Sequence, residues 1–187
     1  MCLRIIIAFL FVVPSLWGQN KFEVEHRIKS DDVPKIATSF VESLSISGKI
    51  RWYYEENLNG NSYEAKICDG RRYSIEFDTL GNFQDVEIKI KSRDIERSIH
   101  VEIRKNIAQT FDSHKIRKIQ IQYFEEDIIQ EVVAKSVLQF QYPHRYEIVL
   151  IGRKAKERKL YELTLNNSGE IIKSEEIIPQ NSDLLEY

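Results

Sequence analysis

The stretch that decides the fold is residues 73–90, which read YSIEFDTLGNFQDVEIKI. Apolar and polar side chains alternate up to Phe77, and they alternate again, after a change of phase, over residues 86–90. Asp78 and Gly81 lie between the two runs and are typical of a turn. Alternation with a period of two predicts strands that are covered on one face. The stretch therefore predicts two neighbouring strands of an antiparallel sheet.

The segments before this hairpin extend the same pattern towards the N-terminus. Alternation at residues 50–55 and 63–68 predicts two more strands, and the intervening Asn-Gly-Asn and Asp-Gly sequences are typical of hairpin turns. Further upstream, Pro34 suits a first helical turn, and a helical stripe of apolar side chains follows it. That stripe consists of Ile36, Ala37, Phe40, Val41 and Leu44. The sequence thus predicts one helix followed by a four-stranded meander.

The same pattern recurs in the second half of the chain. Residues 36–40 match residues 107–111 at an offset of 71, and the later strands match at offsets of 83 and 88. The offset changes only where turns are expected, which favours a duplication. We therefore predict an α+β fold of two tandem units, 19–92 and 93–187, each a helix plus a four-stranded antiparallel meander with the helices on one face of the sheet. Strands of the second unit are expected near residues 117–126, 145–151, 158–165 and 170–177.

The second unit differs from the first by a long segment at residues 128–145. Its apolar spacing fits a short amphipathic helix, and a strand extension through residues 137–142 is the alternative. The segment is expected either to pack on the neighbouring unit or to form a hydrophobic ledge for a partner.

The first 18 residues, MCLRIIIAFLFVVPSLWG, have the three-part plan of a secretory signal peptide. Cleavage after Gly18 would give a mature chain that begins at Gln19 and has no membrane span. The apolar run from Ile5 to Val13 is about half of the ~20 residues that a membrane-spanning helix needs. We therefore expect a periplasmic or secreted protein. Removal of Cys2 leaves Cys68 alone, so no intramolecular disulfide is expected.

Composition and motifs point away from catalysis. The 27 basic and 29 acidic residues, with a formal charge of −2, lack the basic excess of a nucleic-acid-binding protein. The four histidines have no metal-ligand spacing, and the sequence lacks a P-loop, a dinucleotide-binding fingerprint and a nucleophile elbow. We predict no catalytic, cofactor-binding or metal-ligating residue, and hence no enzyme. An uncharacterised hydrolase is the least favoured alternative.

Several of these features together resemble a known family. They are the signal peptide, Val33-Pro34 at the start of the first helix, the aromatic strand 52–55 and the strand-turn Tyr73-x-Ile75-x-Phe77-Asp78-x-x-Gly81. This combination resembles the PepSY-like, β-lactamase-inhibitor-protein-like group of small exported bacterial proteins. The resemblance implies a two-unit sheet with helices on one side and an open, often concave opposite face, which in inhibitor members grips an enzyme. The chain departs from the pattern in the 128–145 segment, in a second helix without proline and in its lack of a disulfide.

If one side of each strand faces the helices, the alternate residues face a partner. Tyr53 and Phe124 are expected at equivalent outward positions amid charged neighbours, which is the arrangement of a binding surface. The predicted partner-binding residues are Arg51, Tyr53, Glu55, Lys66, Gln122, Phe124 and Glu126. The alternatives are that the two aromatic residues cover gaps left by the duplication or pack beneath the 128–145 segment, or that the strand phase is shifted by one residue.

The sequence thus predicts a non-enzymatic envelope protein whose open sheet recognises a protein or peptide and which could inhibit or modulate an exported enzyme. The alternative is a carrier of a small apolar ligand. Its cavity would be lined by the aromatic residues and the 128–145 segment.

Overall fold

The computed structural model describes residues 19–21, 23–44, 46–57, 60–127, 129 and 143–178 of the 187-residue chain. These residues form two α-helices and ten strands. In chain order they are β1 Gln19–Lys21, β2 Glu23–Ile28, α1 Lys35–Ser43, β3 Arg51–Asn57, β4 Gly60–Asp69, β5 Arg71–Phe77, β6 Phe83–Lys89, α2 Arg97–Thr110, β7 Ser113–Tyr123, β8 Arg145–Lys154, β9 Glu157–Asn166 and β10 Ile171–Ile177. A short 3₁₀ turn precedes each helix, at Ser30–Asp32 and Ser92–Asp94.

All ten strands belong to one sheet, in the order β1-β10-β9-β8-β7-β6-β5-β4-β3-β2. Every neighbouring pair is antiparallel except β1 with β10, which is parallel. Only Phe22 separates β1 from β2, so the Cα atoms of Lys21 and Glu23 lie at most about 8 Å apart. In a flat sheet of this size the two edges would be about 40 Å apart. The sheet therefore curls until its two edges meet at the β1–β2 segment.

The hydrophobic core lies between the helices and the apolar face of the sheet. Ala37 and Val41 of α1 and Ile103 and Ile107 of α2 are buried in one cluster with the apolar strand residues. Phe40 extends the contact of α1, because its ring centroid lies 5.7 Å from that of Phe77 and 5.3 Å from that of Phe83. Both helices keep exposed outer sides, so they lie outside the curl of the sheet and the opposite face of the sheet lies inside it.

Local hydrogen bonds fix the turns that the sequence indicates. Asp78 Oδ1 accepts hydrogen bonds from the backbone N–H groups of Leu80 at 2.9 Å and Asn82 at 2.8 Å. Gly81 has a φ of +89°, a conformation that residues with a side chain rarely adopt. The N-cap of α2 is Glu96, whose carboxylate accepts from the first helical N–H groups. These bonds lower the pKa of Glu96, with the Ser98 hydroxyl contributing most.

The antiparallel sheet and the two helices are confirmed, and three details of the prediction are wrong. Two strands, β1 and β2, precede the first helix within residues 19–92, where only a helix and four later strands were predicted. Strand β7 runs from Ser113 to Tyr123 instead of 117–126. Its bulge between Ile116 and Lys118 breaks the alternation near its start, which is why the pattern misplaced it.

The face that was expected to be open is the inside of the curl, which is the third difference. The predicted signal peptide at residues 1–18 and nearly all of the 128–145 segment lie outside the described residues. No helix in the part of the chain that the structure describes is long and apolar enough to cross a membrane.

Candidate recognition surface

The inner face of the sheet, turned away from the helices, carries mostly polar side chains. Eight polar or charged residues are buried there: Glu55, Ser62, Glu64, Asp85, Gln120, Gln122, Glu162 and Glu175. The strand register places them beside one another, as in the pairs Glu55 with Ser62 and Glu162 with Glu175. On an open sheet such polar side chains would remain exposed. The burial of these eight residues is therefore consistent with a sheet whose two edges meet.

A cluster of three carboxylates occupies one part of the inner face. Carboxylate oxygens of Glu25, Glu55 and Glu64 all lie within 4.8 Å of one another. Lys66 Nζ lies 2.7 Å from Glu25 Oε2 and 3.0 Å from Glu64 Oε2. Burial lowers the pKa of Lys66, but the charges of Glu64 and Glu25 outweigh it and raise that pKa above its usual range. Oxygen ligands at this spacing suit a hard cation, yet the Lys66 ammonium already provides a positive charge, so we assign no metal.

Two other carboxyls on the inner face, those of Asp85 and Glu87, have raised pKa values. Burial raises the pKa of Asp85 to about 7, and the charge of Glu147 adds to the effect. Burial also raises the pKa of Glu87 to about 7, against the opposing charge of Lys118. Gln120 Nε2 donates a hydrogen bond to Glu87 Oε2 at 2.5 Å. On the inner face, burial thus raises the pKa of both Asp85 and Glu87.

Some of the seven predicted partner-binding residues lie inside the curl. Glu55 is only 2% exposed and Gln122 only 8% exposed. The expectation that they lie on an open face is wrong, because the sheet curls with that face inside. Lys66 is half-buried on the same face, and its ammonium is held by Glu25 and Glu64.

Phe124 is the best-defined exposed aromatic residue. It follows directly after β7 and is 38% exposed. Its ring stacks on His144, with 5.5 Å between centroids and 4° between planes, and the Arg145 guanidinium carbon lies 4.8 Å from the Phe124 centroid. The backbone N–H of Phe124 donates to His144 Nδ1 at 3.0 Å. The neighbours thus hold an exposed apolar ring in one orientation.

The remaining predicted residues are dispersed. Tyr53 is half-buried in β3, and Lys66 Nζ lies 4.8 Å from its ring centroid. Arg51 is exposed at the start of β3, and Glu126 is exposed in a helical turn beyond β7. Because β4, β5 and β6 lie between Tyr53 and Phe124, the structure does not bring the two aromatic residues into one contact.

Arg51 lies in a groove between α1 and the neighbouring ends of β2 and β3. The groove has a volume of about 280 Å³. It is lined by Arg27, Ile28, Ser30, Thr38, Glu42, Ile50, Arg51 and Trp52. Its walls are mainly polar, so this groove does not favour the carrier of an apolar ligand that the sequence left as an alternative.

Sequence reasoning missed three residues of these surfaces. His144 and Arg145 return to Phe124 only through the pairing of β8 with β7, which a local pattern does not reveal. Arg27 was missed because β2 was not predicted, although Val24, His26 and Ile28 alternate with polar residues there.

The curled antiparallel sheet with two helices on one face is a fold similar to that of a β-lactamase-inhibitor-like protein. Residues 61–126 match the family model described as beta-lactamase-inhibitor-like, PepSY-like. The resemblance stated from the sequence is thereby confirmed. Among the curated proteins, none matches the chain.

Solved structures from Bacteroides share this fold. A BLIP-like protein from Bacteroides fragilis has a TM-score of 0.51 and 12% identity, over 80% of this chain and 90% of that one. A DUF2874 family protein from Bacteroides ovatus has a TM-score of 0.51 and 11% identity, over 77% and 87% of the two chains. A periplasmic protein from Bacteroides eggerthii has a TM-score of 0.51 and 10% identity, over 77% and 88%. At these identities the similarity establishes the fold alone.

Proposed function

We propose that this chain is an exported, non-enzymatic binding protein that recognises a protein or peptide partner in the cell envelope. The observation that carries the proposal is the exposed ring of Phe124, which stacks on His144 and has the Arg145 guanidinium carbon 4.8 Å from its centroid. An aromatic side chain that is fixed before binding loses little conformational entropy in a complex, which is why aromatic anchors dominate many interfaces.

The similar proteins support an envelope location and an inhibitory role. The structure from Bacteroides eggerthii is described as periplasmic, and the one from Bacteroides fragilis as BLIP-like. We therefore place the mature chain, from Gln19 after cleavage behind Gly18, in the periplasm or outside the cell. Its partner would be an exported enzyme that it inhibits or modulates.

Recognition would occur at the margin of the sheet. Phe124 would be the anchor, and Arg51, Tyr53 and Glu126 would contribute polar or peripheral contacts, because these residues retain exposed surface. Glu55, Lys66 and Gln122 would shape the inner face beneath them.

The test is quantitative capture from envelope extract with the exported protein as bait, followed by titration of the purified partner. Phe124→Ala should weaken binding at least tenfold, which is typical of an aromatic hot spot. Val101→Ala is the matched control, because Val101 is an exposed apolar residue, 59% exposed, on α2. Equal affinity for the two variants would refute the proposed anchor, and the absence of any saturable partner would refute the binding function.

We also propose that the chain is a duplication with units 19–92 and 93–187. Each helix precedes four strands, and one glycine of each unit lies against its helix. A Cβ on Gly81 would lie 2.7 Å from Pro34 Cβ, and one on Gly169 would lie 2.9 Å from Ile103 Cγ1. Both glycines have positive φ angles. Alanine at either position should therefore cost a similar free energy of unfolding, about 1–3 kcal/mol, and a large difference measured by urea denaturation would count against equivalent turns.

A further inference from the structure

One end of the sheet carries an excess of exposed positive charge. The antiparallel register places the β4–β5 hairpin, the start of β7 and the β8–β9 hairpin at this end. Six exposed basic residues lie there, and we call them the basic rim: Arg72, Lys115, Arg117, Arg153, Lys156 and Arg158. Among the residues that the structure describes, none of the six forms an ion pair with a carboxylate.

The carboxylates at this end do not balance the basic rim. Carboxylate oxygens of Glu157 and Glu176 lie 3.4 Å and 2.9 Å from the Nζ atom of Lys159, which is not part of the rim. Asp69 and Asp112 add two exposed negative charges against the six positive charges of the rim. The rim therefore keeps a net positive charge that it can offer to an anionic surface.

Two pairs of like charges at this end work against the stability of the fold. Arg153 lies directly opposite Arg158 in the register of β8 with β9, and the register of β5 with β6 places Arg72 opposite Lys89. Burial lowers the pKa of Lys89, and the positive charges of Arg72 and Lys118 lower it further. Like charges directly opposite each other destabilise a sheet. Folding therefore gives no reason for this arrangement, whereas binding to an anionic surface does.

The turn between β8 and β9 presents Lys156 at the tip of the hairpin. Ala155 and Lys156 have φ angles of +48° and +76°. Tight two-residue hairpin turns require such angles, and asparagine and glycine adopt them most readily. Because the sequence has alanine and lysine here, the turn keeps a positive charge at the end of the hairpin at a cost in backbone strain.

The breadth of the basic rim indicates what kind of anion it fits. The rim extends from β5 to β9, and four strand spacings correspond to about 19 Å. The strand ends of a curled sheet lie around its opening, so a flat partner can contact several rim residues at once. A single carboxylate or phosphate ion would reach only one or two of them, which favours an extended anionic surface.

We propose that the basic rim docks this exported protein on an anionic phospholipid surface, with the lipid phosphate groups as its ligands. Such attachment adds up over several Lys and Arg residues and is weakened by salt. The lipid contact is separate from partner recognition at Phe124, because the 11 residues of β7 span about 35 Å and Phe124 follows their far end. The docked protein would thus present Phe124 away from the lipid.

The test is co-sedimentation of the exported protein with lipid vesicles. Vesicles of phosphatidylcholine with about one-third phosphatidylglycerol should bind it saturably, and vesicles of phosphatidylcholine alone should bind it at least about tenfold more weakly. Salt at about 0.5 M should remove most of the binding, because the Debye length falls to about 4 Å. The double variant Arg153→Gln, Arg158→Gln should bind the anionic vesicles at least about tenfold more weakly than the unaltered protein.

The matched control is the double variant Lys35→Gln, Arg97→Gln. These two exposed basic residues begin α1 and α2, whose N-terminal turns lie against Gly81 and Gly169 at the other end of the sheet. The control and Phe124→Ala should bind the anionic vesicles as the unaltered protein does. In urea denaturation the arginine variant should be at least as stable as the unaltered protein, since it loses a like-charge pair.

Equal binding to the two kinds of vesicle, or an equal loss in the control and in the arginine variant, would overturn the proposal. A loss of stability in the arginine variant would also overturn it, because Arg153 and Arg158 would then serve the fold. Capture of a protein that depends on these two arginines, without binding to vesicles, would assign the basic rim to an acidic protein and overturn the lipid contact. Partner recognition at Phe124 is decided separately, by the loss of partner binding in Phe124→Ala.

Discussion

Replacement of Asp85 by asparagine should make the stability of the protein less sensitive to pH. Asp85 is 8% exposed, and burial raises its pKa from 3.8 to about 7. In the unfolded chain the carboxyl ionises at its ordinary pKa, so the folded state binds more protons between about pH 4 and pH 7. Stability contributed by the protonated form is therefore present at low pH and is lost as the pH rises through this window. For a single independent group, the two pH units from pH 5 to pH 7 correspond to a change of about 3 kcal/mol in the free energy of unfolding.

The assay is urea denaturation at pH 5 and pH 8 of the unaltered protein, of Asp85→Asn and of Asp31→Asn as an exposed control. The free energy of unfolding of the unaltered protein and of the control should fall between the two pH values. For Asp85→Asn the fall should be smaller by about 2–3 kcal/mol, because asparagine resembles the protonated carboxyl and does not ionise. An equal fall in all three proteins would refute the assignment of Asp85 as a buried group that titrates near neutral pH.

Three further substitutions test packing and charge, each by urea denaturation at pH 7. Lys66→Met should destabilise the protein by about 3–5 kcal/mol, because Glu64 would lose the ammonium that lies 3.0 Å away inside the sheet; a gain in stability would show that the ion pair is dispensable. Gly152→Ala should cost about 1–3 kcal/mol, because its Cβ would lie 2.4 Å from the ring of Phe111; no loss would mean that the ring moves freely. Ile107→Ala should cost about 2–5 kcal/mol, since Ile107 is fully buried on the side of α2 that packs on the core, and a loss below about 1 kcal/mol would contradict that packing.

The elements of the fold were predictable where the alternation of apolar side chains is strong. The run from Tyr73 to Phe77 and the turn at Asp78 have a regular local pattern, and the structure places a strand and a hydrogen-bonded turn there. The same holds for the helix that contains Ile103 and Ile107, whose spacing matches the helical period. Local periodicity was sufficient in these segments because each buries one face against a single neighbouring layer.

The closure of the sheet could not be read from the sequence. A period of two separates the faces of a strand, but it does not show whether a polar face meets water or another part of the chain. Glu55 and Gln122 therefore had the pattern of exposed residues, although the structure buries both. The closure depends on the pairing of Gln19–Lys21 with β10, which joins residues more than 150 positions apart.

The candidate site was predictable only in part for a related reason. Alternation along the predicted strand 117–126 singled out Phe124, and the structure exposes it directly after β7. His144 and Arg145, which hold its ring, come from the far side of a long insertion and reach it through strand pairing. The groove around Arg51 likewise needs Arg27 from a strand that has only a weak pattern of its own. A single sequence indicates the residue types on a surface but not these distant neighbours.

The closure of the sheet is tested by comparing thiol accessibility at Gln122, which is buried near the end of β7, and at Phe124, which follows β7 and is exposed. Each would be replaced by cysteine in a Cys68→Ser background, because Cys68 is an exposed free thiol. We expect the cysteine at position 124 to react readily with a maleimide and the one at position 122 to react at least about 100-fold more slowly, since thiol reactivity requires access. Circular dichroism would confirm that both variants fold. Similar reaction rates in two folded variants would contradict the claim that the polar face lies inside the curl and that recognition takes place at its margin.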